Sequence, residues 1–229
     1  MASKETTRYT LAVIAIAILF CFPVIALLFL RLFVETRYIP STSMQPTLKV
    51  GDRLLIDKHD AWLHNPFQRG DIIVFYPPPI ALDGEDIGQD LPHILGRLTG
   101  LPIFPNQPAF IKRVIAIPGE RVKIVAGDGV YVNGKKLPEP YIMESANYSL
   151  QKLTDIHGHS MSGKIIEPYS AGQFADKEII VPPNELFILG DDRNRSEDSH
   201  TFGLLKTDRI VGRAFTKVFP LKAIETPRY

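Results

Sequence analysis

"FIKRVIAIPGERVKIVAGDGVYVNG", residues 110 to 134, is the stretch that decides the fold class. Its apolar residues come in short runs that alternate with charged ones, the period-2 pattern of strands rather than the 3.6-residue pattern of helices. "AGDG" and "NG" (133–134) supply tight-turn chemistry between the runs. Working outward, the same rhythm recurs in "DRLLIDK" (52–58), "DIIVFY" (71–76), "EIIV" (178–181), "ELFIL" (185–189) and "DRIVGRAFTKVF" (208–219). Helix signals beyond residue 35 are few. The expectation is a mostly β domain, built as a β-sandwich or partly open β-barrel with few short helices.

Two segments break that rhythm. Residues 77–109 hold seven prolines and no clear strand, and a loop of that length is usually functional or mobile. Within it, Asp90 can cap a short helix with Leu91, Ile94, Leu95 and Leu98 on one face and Gly100 as its stop. That face suits a lid on the sheet or, alternatively, a patch that dips into a bilayer. Residues 135–177 read as an inserted arm or long hairpin.

The N-terminal part is of another kind. No charged residue occurs from Tyr9 to Leu30, and Arg8 and Arg31 close the run. Such a run spans ~33 Å as a helix, against a hydrocarbon core of ~30 Å, and it has no polar stripe. It is expected to be a single transmembrane helix in which Pro23 is tolerated. It is too long for a cleaved leader, and "RLFVETR" after it lacks a small-x-small site. The domains expected are a tail at 1–8, an anchor at 9–30, and a β-rich domain at 36–220 with insertions at about 77–109 and 135–177. Charges flank the anchor evenly, so they leave its orientation open.

Composition excludes several classes. A formal net charge of +1 over 229 residues, with no basic block, leaves no footprint for nucleic acid. The single cysteine, Cys21, rules out an internal disulfide and a cysteine-based metal site. The chain carries no H-E-x-x-H, G-x-S-x-G or P-loop. His157 and His159 have no third ligand nearby in sequence and read as loop residues, so no metal or other cofactor is expected.

Three stretches carry chemistry. "YIPSTSMQPTL" (38–48) places Ser41 and Ser43 in a turn pinned by Pro40 and Pro46. In "FIKRVIAI" a strand puts Lys112 on one face with Phe110, Val114 and Ala116, and Arg113 on the other with Ile111 and Ile115. An amine among apolar neighbours loses hydration, which disfavours its ammonium form and suits a general base. An edge-strand lysine reaching solvent is the alternative. "LGDDRNRSEDSHTFG" (189–203) is dense in hydrogen-bonding groups. Arg193 and Arg195 argue against a calcium loop, so it reads as support for a site.

Taken together and in order, "PSTSMQPTL", "GDIIVF", "FIKRVIAIPGE" and "GDDRNRSEDSHTFG" resemble the successive boxes of type I signal peptidases, membrane-anchored serine proteases of the serine-lysine type. The resemblance covers the anchor and residues 36 to 218. It implies Ser43 as nucleophile, Lys112 as general base and Ser41 as oxyanion donor. It further implies that Ser196 bonds the lysine amine, and that Asp198 belongs to a salt-bridge layer with Arg113 or a neighbouring cation. Met44 and Ile39 would line the substrate pocket. The implied substrates are preproteins cut after a small-x-small site, with the β domain on the extracytoplasmic side of a membrane. Two positions depart from the pattern: Asp192 replaces a common asparagine, and His200 replaces an arginine of many bacterial members, as in cyanobacterial and plastid ones. Two other readings compete: a self-cleaving repressor-type serine-lysine peptidase, and a membrane-anchored β adaptor that binds peptides without cutting them.

Overall fold

Helix α1 (Ala2–Phe33) passes into strand β1 (Val34–Tyr38) with no residue between them. The computed structural model describes residues 2–59, 66–82, 84, 86–99, 103–105, 108–150, 174–175, 178–219 and 221–223. The helix is longer at both ends than the charge-free run, and it carries exposed apolar side chains such as Val13, Ile16, Leu19, Phe22 and Phe29. Among the described residues, which omit the side chains at 1–8, 10–12, 15, 24, 27, 28 and 32, no helix is long and apolar enough to cross a membrane. Where α1 meets the sheet, the Lys58 backbone N–H donates to Phe33 O at 2.8 Å. The buried Lys58 ammonium lies 3.4 Å from the Glu35 carboxylate.

The main sheet is antiparallel and contains β1, β2 (Arg53–Asp57), β3 (Ile72–Phe75), β4 (Phe110–Ala116), β10 (Glu185–Leu189), β11 (Leu205–Lys206) and β12 (Ile210–Phe219). Its order is β1-β2-β12-β3-β4-β10-β11, and β13 (Leu221–Ala223) pairs with β12. Strand β12 lies between β2 and β3, with shifts of register along both edges. Such irregularities bend and twist a strand, so the sheet curls. Gly212 allows the close approach, because a Cβ there would sit 2.2 Å from the Asp57 carbonyl on β2. The second sheet has the order β7-β6-β5-β9-β8, from β5 (Arg121–Val125), β6 (Gly129–Val132), β7 (Lys135–Lys136), β8 (Phe174–Ala175) and β9 (Glu178–Ile180). Asn133 and Gly134, with φ of 52° and 76°, turn β6 into β7. Both central positions of such a hairpin turn need positive φ, which Asn-Gly tolerates best.

Burial explains the sequence pattern. Ile72 and Val74 of β3 pack into one cluster with Ile39, Met44, Leu48 and Leu54. Ile73 and Phe75 point to the other face, against Val114, Ile188 and Phe202. A strand covered on both faces reads as a continuous apolar run, and "IIVF" is one. A third cluster joins the two sheets through Ile115, Phe187 and Leu189 on one side and Val122, Val130 and Ile179 on the other.

The mostly β expectation therefore holds, as a curled sheet with a smaller second sheet and few helices. The helix expected near 91–98 is α2 (Leu91–Thr99), which lies against α1. The Asp90 carboxylate, expected as its cap, pairs with His93. Leu91 is exposed, Ile94 and Leu95 are half-buried, and Arg97 stacks 5.8 Å from the Tyr76 ring. His157, His159 and most of the 135–177 insertion lie outside the described residues.

Candidate active site

Strand β4 sits between β3 and β10, so both faces of its centre are covered. Side-chain alternation sends Lys112 and Arg113 in opposite directions, and each meets a different partner. Lys112 is 4% exposed. Its Nζ lies 3.0 Å from Ser43 Oγ and donates to the Ile111 carbonyl at 3.0 Å. The Phe110 ring is centred 5.6 Å from the same nitrogen. Burial pulls the Lys112 pKa below its usual value of 10.5, and the negative charges of Asp198, Glu197 and Asp191 oppose that pull without cancelling it. An amine held this way gives up its proton at a lower pH than an exposed lysine. At 3.0 Å its free lone pair can take the serine proton.

Ser43 is presented by a loop fastened at both ends. Ile39 N donates to Asp52 O at 2.9 Å, and Gly51 N returns to Ile39 O at 3.0 Å. Inside it, Gln45 N bonds Thr42 O and Leu48 N bonds Met44 O, each at 2.8 Å. Ile39, Met44 and Leu48 point into the core and hold the loop down. Met44 and Ile39, expected at the substrate pocket, are 0% and 2% exposed. Their apolar character serves the packing beneath the loop. Ser41 stays at the surface, its Oγ 3.4 Å from Ser43 Oγ.

The loop after β10 closes the site from the other side. Asp192 N donates to Ser43 O at 3.1 Å. Gly190 leaves no room for a side chain: a Cβ would lie 2.2 Å from Ser196 Oγ and 2.5 Å from Ser43 O. Ser196 is buried beside this contact. Its hydroxyl makes no hydrogen bond of ordinary geometry among the described residues, although it is near enough to Asp198 to help keep that carboxylate ionised. The bond to the Lys112 amine implied by resemblance is therefore not formed in this arrangement.

Asp198 is completely buried at the N-cap of α3 (Ser199–Phe202). It accepts hydrogen bonds from Gly190 N at 2.8 Å, from His200 N at 3.2 Å and from His200 Nδ1 at 2.7 Å. Burial alone would raise its pKa, but the His200 bonds and charge and the Gly190 amide outweigh it and leave the carboxyl below its usual range. Of the cations named for it, Asp198 pairs with the neighbouring His200. The Arg113 guanidinium instead grips Asp191 with two bonds, Nε to Oδ1 at 2.8 Å and Nη2 to Oδ2 at 2.7 Å. It also donates to Gly70 O at 3.0 Å and lies 4.0 Å from the centre of the Tyr141 ring. Thr47, on the Ser43 loop, donates to Asp191 Oδ2 at 2.5 Å. One buried ion pair thus ties together the serine loop, the lysine strand and the loop after β10.

A second buried pair supports the first. Arg193 donates to Gly190 O at 3.1 Å and forks onto Glu139, one bond being 3.0 Å. Burial alone would lower the Arg193 pKa, and Glu139 more than offsets that, so the guanidinium stays charged. Asn194 binds Ser145 O and the Asn147 N–H, which fastens the start of the 135–177 insertion onto the same loop. On the far side of the serine loop, Lys217 of β12 donates to Thr47 O at 2.8 Å and pairs with Asp52 at 2.8 Å. Thr47, Glu139, Tyr141, Gly190 and Asp191 were not anticipated as site residues. The signal for Asp191 was present in the doubled acid of "GDDR", but sequence does not say which arginine it meets. No group of three or more metal-ligating side chains occurs among the described residues.

Comparison with known proteins bears on this arrangement. The family description "Signal peptidase, peptidase S26" matches residues 9–219. A probable signal peptidase I-1 of Synechocystis is 40% identical over 86% of this chain and 77% of its own length. A signal peptidase I of Leptolyngbya laminosa is 36% identical over 88% of this chain and 77% of its own. Thylakoidal processing peptidase 1 of Arabidopsis thaliana is 28% identical over 90% of this chain, which spans only 48% of that protein. The chain belongs to the type I signal peptidases of peptidase family S26, and it is a serine endopeptidase.

Proposed function

We propose that the chain is anchored in a membrane by α1 and removes N-terminal signal peptides from exported preproteins, with Ser43 as nucleophile and Lys112 as general base. The observation that carries this reading is the buried Lys112 amine 3.0 Å from Ser43 Oγ. Neutral Lys112 takes the Ser43 proton as Oγ attacks the scissile carbonyl. The developing oxyanion is received by the Ser41 hydroxyl and the Ser43 backbone N–H. The resulting ammonium then protonates the leaving amine, and water, activated by the same lysine, hydrolyses the acyl-enzyme. Burial makes this cycle feasible near neutral pH, because it narrows the gap between the lysine pKa and the pH of the medium.

The anchor is supported by the charge-free run from Tyr9 to Leu30 and by the exposed apolar side chains along α1. As ~33 Å of helix it suits a bilayer core of ~30 Å. Such an anchor confines enzyme and signal peptide to the same two-dimensional phase, with the catalytic domain on the extracytoplasmic side. The test is cleavage of a purified preprotein by the detergent-solubilised chain, comparing wild type with Ser43→Ala and Lys112→Ala. Cleavage after a small-x-small site, lost in both variants, is expected. A Lys112→Ala enzyme of near-normal rate would remove the lysine from the mechanism. Tight binding of the signal segment without cleavage by wild type would turn the chain into an adaptor.

A further inference from the structure

We propose that His200 is a positioning residue for the Ser43–Lys112 pair, acting through Asp198 so that the acid limb of cleavage depends on the charge of its imidazole. The inference rests on Lys112 being the general base. Its physical basis is a chain of contacts. His200 Nδ1 is 2.7 Å from Asp198 Oδ1, and Asp198 Oδ2 holds the Gly190 N–H at 2.8 Å. Gly190 in turn lies against Ser196 and the Ser43 carbonyl with no room for a side chain. The Tyr148 ring stacks on the imidazole at 3.9 Å, with 16° between the planes. The ring is therefore clamped between a carboxylate and an aromatic face. At 19% side-chain exposure it still reaches solvent to exchange protons.

The charges around it make the clamp consequential. Asp198 faces the imidazole edge and Tyr148 its plane, and the Arg193 guanidinium is near enough to Tyr148 to interact with it electrostatically. Lys112 feels the charge of Asp198, together with those of Glu197 and Asp191. When His200 is neutral, the full charge of Asp198 favours the Lys112 ammonium, the form that cannot act as a base. When His200 is protonated, the His200–Asp198 pair is neutral overall and that support for the ammonium is withdrawn. A proton on His200 opposes a proton on Lys112. Two groups coupled in this way lose protons over a wider pH range than one independent group. The histidine thus extends the free-base fraction of Lys112 toward acid.

The experiment is the pH dependence of kcat/KM for preprotein cleavage by the full chain in detergent. It compares wild type with His200→Arg, a fixed cation, and His200→Asn, an uncharged donor near the Nδ1 position. The His200→Arg limb should lie at lower pH than the His200→Asn limb by about half a pH unit or more, the scale of a nearby charge. Wild type should fall between them with a shallower slope. Coincident limbs would overturn the proposal, as would a loss of kcat/KM by one constant factor at every pH, which is what a merely structural histidine gives. If neither variant folds, wild type alone decides, because a limb that follows a single independent proton overturns the coupling. Retained cleavage by Lys112→Ala would instead mark failure of the underlying mechanism. An inactive Lys112→Ala enzyme with coincident His200 limbs would sink this inference alone.

Discussion

Replacing Gly190 by alanine adds one methyl group to the most crowded backbone contact of the site. The new Cβ would lie 2.5 Å from both Ser43 O and Ser196 Cβ, and 2.2 Å from Ser196 Oγ. An ordinary carbon–oxygen contact is about 3.3 Å, so the Ser43 carbonyl must retreat by roughly 0.8 Å. The Ser196 side chain has nowhere to swing, since it is itself buried. Overpacking of this kind costs about 1–3 kcal/mol, which for a chain of this size lowers Tm by about 2–12 °C. Activity should suffer more than stability. A misplacement of about 1 Å at a catalytic group costs about 100-fold in rate, and Ser43 is the residue displaced. The assay is kcat/KM for preprotein cleavage measured beside a thermal melt. Adding Ser196→Ala to Gly190→Ala should not rescue cleavage, because the contacts with Ser196 Cβ and Ser43 O remain. A Gly190→Ala enzyme with wild-type kcat/KM and Tm would refute the reasoning.

Two further outcomes follow from the buried charges. Asp191→Asn leaves the Arg113 guanidinium buried without its counter-charge. It should destabilise the fold by about 3–5 kcal/mol, read as a lower midpoint in urea, and an unchanged midpoint would show that the remaining contacts of Arg113, those to Gly70 O, Thr47 and Tyr141 among them, suffice. Lys112→Met removes an amine whose pKa burial depresses below 10.5. The unfolded chain then binds the proton that the folded one resists, so wild-type stability rises with pH across the window between the depressed value and 10.5. Lys112→Met should be the more stable protein at neutral pH, with the difference shrinking as pH approaches 10.5. A stability gap independent of pH would contradict the depressed pKa.

How far the sequence could be read depended on which physical rule applied. Short apolar runs located eight of the strands (β2 to β6, β9, β10 and β12), and period-2 alternation separated Lys112 from Arg113, because adjacent residues of a strand cannot share a face. Strand β1 escaped notice: "VETRY" has no apolar alternation, and it is held by full-length pairing with β2 rather than by pattern. Partner choice was beyond the rule altogether. Asp191 and Asp198 sit in one loop as equally acidic candidates for Arg113, and only the turn through Arg193–Arg195 sends one to the arginine and the other to His200. Met44 and Ile39 were placed at a pocket by resemblance, and alternation alone does not show that the serine loop packs both of them into the core cluster with Leu48 and Leu54.

The place of β12 in chain order has a consequence for when the enzyme can work. The Ser43 loop and the lysine strand are made early, yet β12 is inserted between β2 and β3, and its Lys217 grips Thr47 and Asp52. Every residue of the site described above precedes Lys217. A ribosome-bound chain therefore carries serine and lysine long before it has the strand that aligns them. The contacts that fasten the Ser43 loop through Lys217 can form only after nearly the whole domain has been made.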